Sequence, residues 1–457
     1  MTEDAGPGFD EKYDQMVNMP VEGLVCRFAA PAIVSMLVSA LYNMADTYFV
    51  GALGTSATAG VGVVFSLMSI IQAAGFFFGN GSGNYVSRQL GGLHIENAAK
   101  MASTGFFSAL ASGSVIMALG LMFLEPLARF LGATETILPY ACDYLRFILI
   151  GVPWMVASLM LNSLLRFQGS AFYGMIGIAG GAVINIALDP ILIFGMGMGV
   201  VGASLATMIS QFTGFCMLLY GCARHGNIMV NLKNFTPRIY FFKEIFRGGG
   251  PSLLRQGIAG AAVICMNRMA GSYGDAAIAA ISIVQRVIMF ANSAMIGFGQ
   301  GFQPVCGFNY GAERFDRVSR AFWFCVRVST AMLFASGIAG IAMAPSIIAV
   351  FRGDDPAVIS IGTTSLRLNC ALFPLVGWVI LNNMMLQTIG MAGRASILAV
   401  SRQGLFLLPA IFILTSQMGL IGLLASQPVA DFATFLLSLP LGLGVLGEMK
   451  RRSDSMI

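Results

Sequence analysis

Long apolar runs recur along this chain from residue 27 to residue 446, separated by short polar breaks. A helix needs about 20 apolar residues to cross the hydrocarbon core of a bilayer. Reading for such runs predicts spans over 27–50, 58–86, 101–124, 138–165, 171–195 and 200–222. A second set follows over 248–272, 277–307, 321–346, 358–388, 395–416 and 421–446. Only 10% of the 457 residues are charged and 57% are hydrophobic, whereas soluble domains carry roughly 25% charged residues. A water-soluble fold could not hide that much apolar surface, so lipid is the solvent for most of the chain. The expected fold is an all-α polytopic membrane protein of twelve transmembrane helices.

Orientation follows from Lys and Arg, which concentrate in cytoplasmic loops. On one side fall Arg88, Lys100, Arg166, Arg224, Lys233, Arg238, Lys243, Arg247, Arg314, Arg317, Arg320, Arg394, Lys450, Arg451 and Arg452. The other side holds little beyond Arg129 and Arg352. Both termini are therefore expected in the cytoplasm, with the protein in the plasma (inner) membrane. Residues 1–19 are polar and acidic and lack a basic stretch ahead of an apolar core. They read as a cytoplasmic tail and not as a cleavable signal. The longest internal polar stretch, 224–247, reads as a cytoplasmic linker between an N-lobe (20–223) and a C-lobe (248–446), with a second tail over 447–457.

The two lobes match in sequence. An offset of 220 pairs Pro31 with Pro251, Gly51 with Gly271, Gly54 with Gly274, Gly79 with Gly299, Gly81 with Gly301 and Gly91 with Gly311. One inserted residue later, 221 pairs Gly132 with Gly353, Arg146 with Arg367, Pro153 with Pro374, Asn162 with Asn383 and Gly169 with Gly390. Six is an even number of crossings, so both lobes start on the same side. They are parallel repeats about a pseudo-two-fold axis along the membrane normal. Transporters built this way place their sites at the repeat interface.

Several function classes fall away. The net charge is +5 and the basic residues sit in short loop clusters, which is no nucleic-acid surface. The eight cysteines are scattered without a C-x-x-C pair, and the two histidines, His94 and His225, fall in polar breaks. No metal cluster, disulfide or His-based catalytic site is expected, and no enzyme activity. Gly79-Asn80-Gly81-Ser82-Gly83-Asn84 follows no strand and precedes no phosphate-binding lysine, so it reads as close helix packing. Transport is expected to be secondary, with no cofactor.

Acids inside spans carry the chemistry, because a charge at the bilayer centre costs about 2.5–3.5 kcal/mol on insertion scales. Asp46 lies in the first span and Asp189 in the fifth. Asn185 and Asp189, like Tyr42 and Asp46, are four apart and share a helical face. Pro190 lacks a backbone N–H, which helps free a carbonyl nearby. Each acid could instead lie hydrated near a helix end. The C-lobe equivalents are Met266 and Ala410, so ion coupling is expected in the N-lobe alone. Asp431 is the candidate exception, unless it pairs with a C-lobe arginine. The arginines Arg255, Arg268, Arg286, Arg327, Arg367 and Arg402 can snorkel to the headgroups. A sharper reading makes Arg255 or Arg402 a cytoplasmic-side gate or a substrate contact.

The stretch Asn43-Met44-Ala45-Asp46-Thr47-Tyr48-Phe49-Val50-Gly51 strongly resembles the multidrug and toxic compound extrusion (MATE) family. Pro31-Ala32-Ile33, Leu188-Asp189-Pro190 and Gly199-Val200-Val201-Gly202-Ala203-Ser204-Leu205-Ala206 fit the same family, over about residues 20–446. The resemblance implies proton- or sodium-driven export of organic cations by rocking of two lobes. The protein is expected to act as a monomer among membrane lipids. The resemblance also implies a cation site at Asp46, Asn185, Asp189 and Thr207, the only place where a metal ion (sodium) is expected. Tyr42, Asn43, Asn162, Gln256 and Asn383 are expected along the substrate cavity, and Pro31 matches a proline linked to bending of the first helix. Two alternatives stand beside export. A lipid-linked oligosaccharide flippase shares the architecture and wants a cationic cavity; a membrane-embedded enzyme would need a catalytic constellation that the loop histidines do not supply.

Overall fold

A computed structural model describes residues 8–224, 226–352 and 355–455; His225 and Gly353 lie outside the described residues. The chain is helical throughout. A short α1 (Phe9–Asn18) precedes α2 (Val21–Gly51), α3 (Thr55–Gly91), α4 (Ile95–Met122), the short α5 (Leu124–Phe130) and α6 (Leu138–Phe167). Then come α7 (Ala171–Pro190), running on as a π-helical turn over Ile191–Gly195, and α8 (Gly199–Cys222). The second half repeats the pattern with α9 (Ile239–Gly271), α10 (Asp275–Gly311), α11 (Phe315–Arg352) and α12 (Pro356–Thr388). It ends with α13 (Ala392–Val400), a π-helical Ser401–Leu407 and α14 (Leu408–Asp454). His94 immediately precedes α4.

Ten helical stretches among the described residues are long and apolar enough to cross a bilayer. One of them, Ala392–Asp454, is 63 residues long and breaks at Gly419, where φ is 60° and ψ is −136°; it holds two crossings. The twelfth is α9, 33 residues long, whose apolar stretch is interrupted by Arg255, Gln256 and Arg268. Lipid offers the backbone no hydrogen bonds, so polar residues inside spans turn back on their own helix. Ser35 Oγ donates to the Pro31 carbonyl at 2.9 Å and Ser39 Oγ to that of Ser35 at 2.8 Å.

The backbone repeats as the sequence does. Left-handed φ recurs at Gly54 (110°) and Gly274 (92°), Gly169 (77°) and Gly390 (87°), and Gly199 (56°) and Gly419 (60°). It recurs even at two residues with side chains, Leu93 (60°) and Glu313 (57°), which are 220 apart. The halves meet reciprocally: Gly91 lies against the Phe308 backbone, and Gly311, its equivalent, against that of Arg88, the equivalent of Phe308. Contacts that exchange in this way mark a two-fold relation. Gly297 and Gly301 of α10 seat Ile33 and Ala29 of α2, while Gly248 and Gly249 of α9 seat Gly81 and Phe77 of α3. A side chain at these glycines would meet backbone, so glycine sets how closely the halves approach.

Two stretches read as polar segments are structured. Residues Phe9, Tyr13, Met16 and Val17 form one stripe of α1, with Phe9, Met16 and Val17 buried. This helix ties the halves together on the face that carries both chain ends, here termed the terminal face. Tyr13 donates to the Gly91 carbonyl at 3.2 Å, and Asn309 Nδ2 donates to that of Met16 at 3.2 Å. Lys12 Nζ donates to Ser170 Oγ at 2.7 Å and Asn227 Oδ1 at 2.5 Å. Burial pushes the Lys12 ammonium down to about 8. The expected linker is shorter, because Ile239 to Arg247 already belong to α9. Its remainder is pinned to α4 and to the residue that follows α6, with the Thr236 N–H on Thr104 Oγ1 at 3.1 Å and the Ile228 N–H on Gln168 Oε1 at 2.6 Å.

Two outcomes are expected. Gly311→Ala pushes a methyl into the Arg88 backbone and lowers the melting temperature of the purified protein, by about 1–3 kcal/mol of overpacking. Gly260→Ala, where a methyl meets open space, leaves it unchanged or raises it. The docked Lys12 binds fewer protons between pH 8 and 10.5 than an undocked lysine, so α1 docking strengthens as pH rises through that window. Hydrogen exchange in α1, corrected for intrinsic rate, slows across it in the wild type and not in Lys12→Met.

Candidate functional site

The two acids share one pocket in the first half, toward the face opposite the chain ends. Asp46 sits near the far end of α2 and Asp189 one residue before Pro190, where α7 loosens into its π turn. The widened turn follows from the proline, whose missing N–H leaves an α-helical bond unmade. Asp189 and Asn185 are wholly buried. With its amide oriented to satisfy both neighbours, Asn185 donates to Asp189 Oδ2 at 3.0 Å and accepts from the Thr207 N–H at 3.2 Å. Tyr144 of α6 donates to Asp46 Oδ2 at a long 3.5 Å. Tyr42 lies beside Thr207 and Gln211 and faces both carboxylates. The acids are close enough to repel each other. Oδ1 of each carboxylate is buried with no hydrogen-bond partner among the described residues. Two orphan acceptors in one pocket suit a bound cation or a proton.

The site also holds Tyr144 and Gln211, which no sequence motif singles out. Gln211 is four residues after Thr207, the same spacing that singled out Asn185 and Asp189. Tyr144 carries no such signal. Of the other candidates, Asn43 Nδ2 donates to the Ser39 carbonyl of its own helix at 2.8 Å. Asn162 donates to the Gly174 carbonyl at 3.0 Å and Asn383, its equivalent, to that of Ala395 at 2.8 Å. Each thus clamps the fourth crossing of its half to the fifth. Pro31 lies inside an unbroken α2.

The equivalents of Tyr42 and Asp46 in the second half are Ala262 and Met266. Both are buried in an apolar cluster with Ile281, Leu407, Ile411 and Leu423. The charge of that half sits elsewhere. Arg402, on the π-helical segment, grips Asp431 through Nε to Oδ1 at 2.7 Å and Nη2 to Oδ2 at 3.2 Å. Gln427 donates to the same Oδ1 at 2.8 Å. Asp431 therefore takes the arginine partner that its alternative reading required. Arg255 lies close by on α9, near enough to feel the charge of Arg402, and Gln256 follows it, part-buried.

A polar seam joins the halves near the terminal face. Arg88 donates Nη1 to the Thr388 carbonyl at 2.5 Å and pairs with Glu244 at 3.3 Å. Thr388 Oγ1 donates to Asn84 Oδ1 at 3.0 Å, and Asn80 and Gln387 both donate to Ser252 Oγ, at 3.0 and 2.8 Å. Arg166, 3% exposed, reaches Asn80 Oδ1 at 3.4 Å and lies 5.0 Å from the Phe167 ring centre. Its Nε and Nη1 have no partner among the described residues. In the sequence, Arg88 and Arg166 stand out only as part of the basic clustering that orients the chain.

A duplicated bundle sealed at one end, with acids buried in one half, is the architecture of an alternating-access membrane transporter. The profile of the MatE family matches residues 31–191 and again 251–413, once in each half, and the chain belongs to that family, the MATE transporters. Its relatives include the multidrug export protein MepA of Staphylococcus haemolyticus (strain JCSC1435), 29% identical over 92% of this chain and 93% of that one. MepA of Staphylococcus aureus (strain N315) is likewise 29% identical, over 92% and 93%. Among solved structures, an outward-facing multidrug resistance MATE transporter superposes with a TM-score of 0.91 at 24% identity, covering 98% of this chain and 100% of that one. A transporter from Pyrococcus furiosus, described as having a binding pocket of reverse polarity, gives 0.90 at 25% identity over the same shares. Transporters of this family are ion-coupled, and the chain is not an enzyme.

The Arg402–Asp431 pair makes its own prediction. Arg402→Gln strands a buried carboxylate and costs about 3 kcal/mol, the low end for buried pairs because Arg402 keeps some exposure. The melting temperature falls accordingly. Arg402→Gln with Asp431→Asn removes both charges and recovers most of the loss.

Proposed function

We propose that this protein exports organic cations, drugs among them, in exchange for protons or sodium, by alternating access. The observation that carries this reading is the pair of orphan carboxylate oxygens of Asp46 and Asp189 in one pocket. Two negative charges in a poorly solvated site repel each other, and one bound cation relieves that cost. Asn185, Thr207, Tyr42 and Tyr144 orient the acids. Similarity to MepA, a multidrug export protein by name, supports the substrate class.

The clustering of Lys and Arg favours a cytoplasmic terminal face. The polar seam then closes the cytoplasmic side, and the acids are reached from outside. An inbound proton or sodium neutralises the pocket and weakens its hold on a cationic drug, which leaves outward. One elementary charge crossing about 100 mV supplies ~2.3 kcal/mol. Swinging a two-state equilibrium from 1:99 to 99:1 takes ~5.5 kcal/mol. The potential acting on one charge does not suffice, so ion and drug must each bind the two states differently. Affinity for varied drugs is supplied by apolar and Met-rich walls. The protein works as a monomer in the plasma membrane.

Efflux of several organic cations from proteoliposomes, under a pH or a sodium gradient imposed separately, tests this reading. One gradient should drive efflux in the wild type, and Asp46→Asn and Asp189→Asn should each abolish the gradient-driven part. Full efflux in both variants sinks the proposal.

A further inference from the structure

Arg255 is a charge that the ion-exchange reading leaves unused. It stands on α9 at the position equivalent to Ser35 of α2, seven residues before the equivalent of Tyr42. That places it on the helix face turned to the interior of its own half. It lies deep among protein atoms yet keeps part of its surface open. No carboxylate pairs with it among the described residues. An unpaired guanidinium at membrane depth is costly, and its nearest charged neighbour, Arg402, is of the same sign.

The surroundings are built to keep this charge. Asp431 is the acid that could neutralise it, but its two oxygens are already engaged by Arg402 and Gln427. That grip holds Arg402 by Nε and Nη2 and leaves Nη1 outside the pair. Arg402 itself rides on the π-helical Ser401–Leu407, and such bulges in α-helices concentrate at functional sites. Gly404 brings this segment against Ile258, one turn beyond Arg255, so α9 and the bulge are in contact where the two arginines meet. The cluster of two arginines and one aspartate keeps one positive charge, in the half that lacks the acid pair.

We propose that Arg255, with the free edge of Arg402, binds an acidic group, a carboxylate, on the transported molecule. The favoured cargo is then zwitterionic: its cationic end answers to Asp46 and Asp189 in one half and its carboxylate to Arg255 in the other. That this molecule is cargo rests on the proposed export; the carboxylate site itself does not. A planar guanidinium suits a carboxylate because it offers two parallel N–H donors.

Equilibrium binding separates the two readings, since it needs no transport. Tetramethylrhodamine, a zwitterion with a free carboxylate, and its methyl ester, a cation with the same ring system, are titrated against the full chain in nanodiscs by fluorescence polarisation. Arg255→Gln is expected to weaken binding of the acid by about tenfold or more, the usual scale for losing a charged hydrogen bond, and to leave the ester within about twofold. Arg255→Lys recovers part of the preference. Arg402→Gln with Asp431→Asn, which keeps the local charge balance, reduces the preference for the acid by a smaller factor. Equal effects of Arg255→Gln on acid and ester, or no binding of the acid to the wild type, overturn the proposal. Loss of gradient-driven ester efflux in Asp46→Asn is a separate result that bears on export alone.

Discussion

Inside a bilayer a polar atom has only protein to bond with, and this constraint shapes the molecule more than any single contact. Helices absorb the backbone. Side chains must then find a helix carbonyl, another side chain or a cleft. Most do the first: Ser35, Ser39 and Asn43 turn back on α2, and Asn162 and Asn383 reach the neighbouring helix. The charged groups that do neither include three clusters, the acid pocket, the arginine cluster and the terminal seam. Each is a place where the halves have diverged or where they meet.

Duplication explains the scaffold and divergence explains the chemistry. Gly81, where α3 meets α9, and Gly301, where α10 meets α2, are equivalent, as are the left-handed residues at the breaks. These positions answer to backbone geometry, which both halves share. The pocket positions answer to nothing shared. Asp46 and Tyr42 correspond to Met266 and Ala262, and the second half packs that region as an apolar core. Its charge lies instead at the positions equivalent to Ser35, Gly181 and Gln211. One scaffold thus carries a pair of acids in one half and a pair of arginines in the other.

The spans and the repeat were legible because lipid demands long apolar runs and because Gly and Pro constrain the backbone by themselves. Asp46, Asn185, Asp189 and Thr207 were legible as a group only through resemblance; the chain places them together from α2, α7 and α8. Tyr144 was not legible, since a tyrosine in a span reads equally well as an interfacial anchor. α1 was missed because Phe9, Tyr13, Met16 and Val17 are too few to stand out against Asp10, Glu11, Lys12 and Asp14. Its apolar stripe has meaning only once the two halves offer a surface to cover. The Arg402–Asp431 pair spans two crossings, and sequence spacing has no means of joining them.

The seam carries a further lesson about balance. Arg88 and Glu244 close it with opposite charges, but Arg166 lies beneath it with neutral partners only. A buried guanidinium without a carboxylate destabilises whichever state buries it. Parting the halves at the terminal face would break the Asn84–Thr388 and Asn80–Ser252 hydrogen bonds and would also hydrate Arg166. The two effects oppose each other. A transporter needs its sealed state held, but not so firmly that ion and cargo, each able to contribute only a few kcal/mol, cannot reverse it. An uncompensated charge buried beside a hydrogen-bonded seam is one way to keep that difference small.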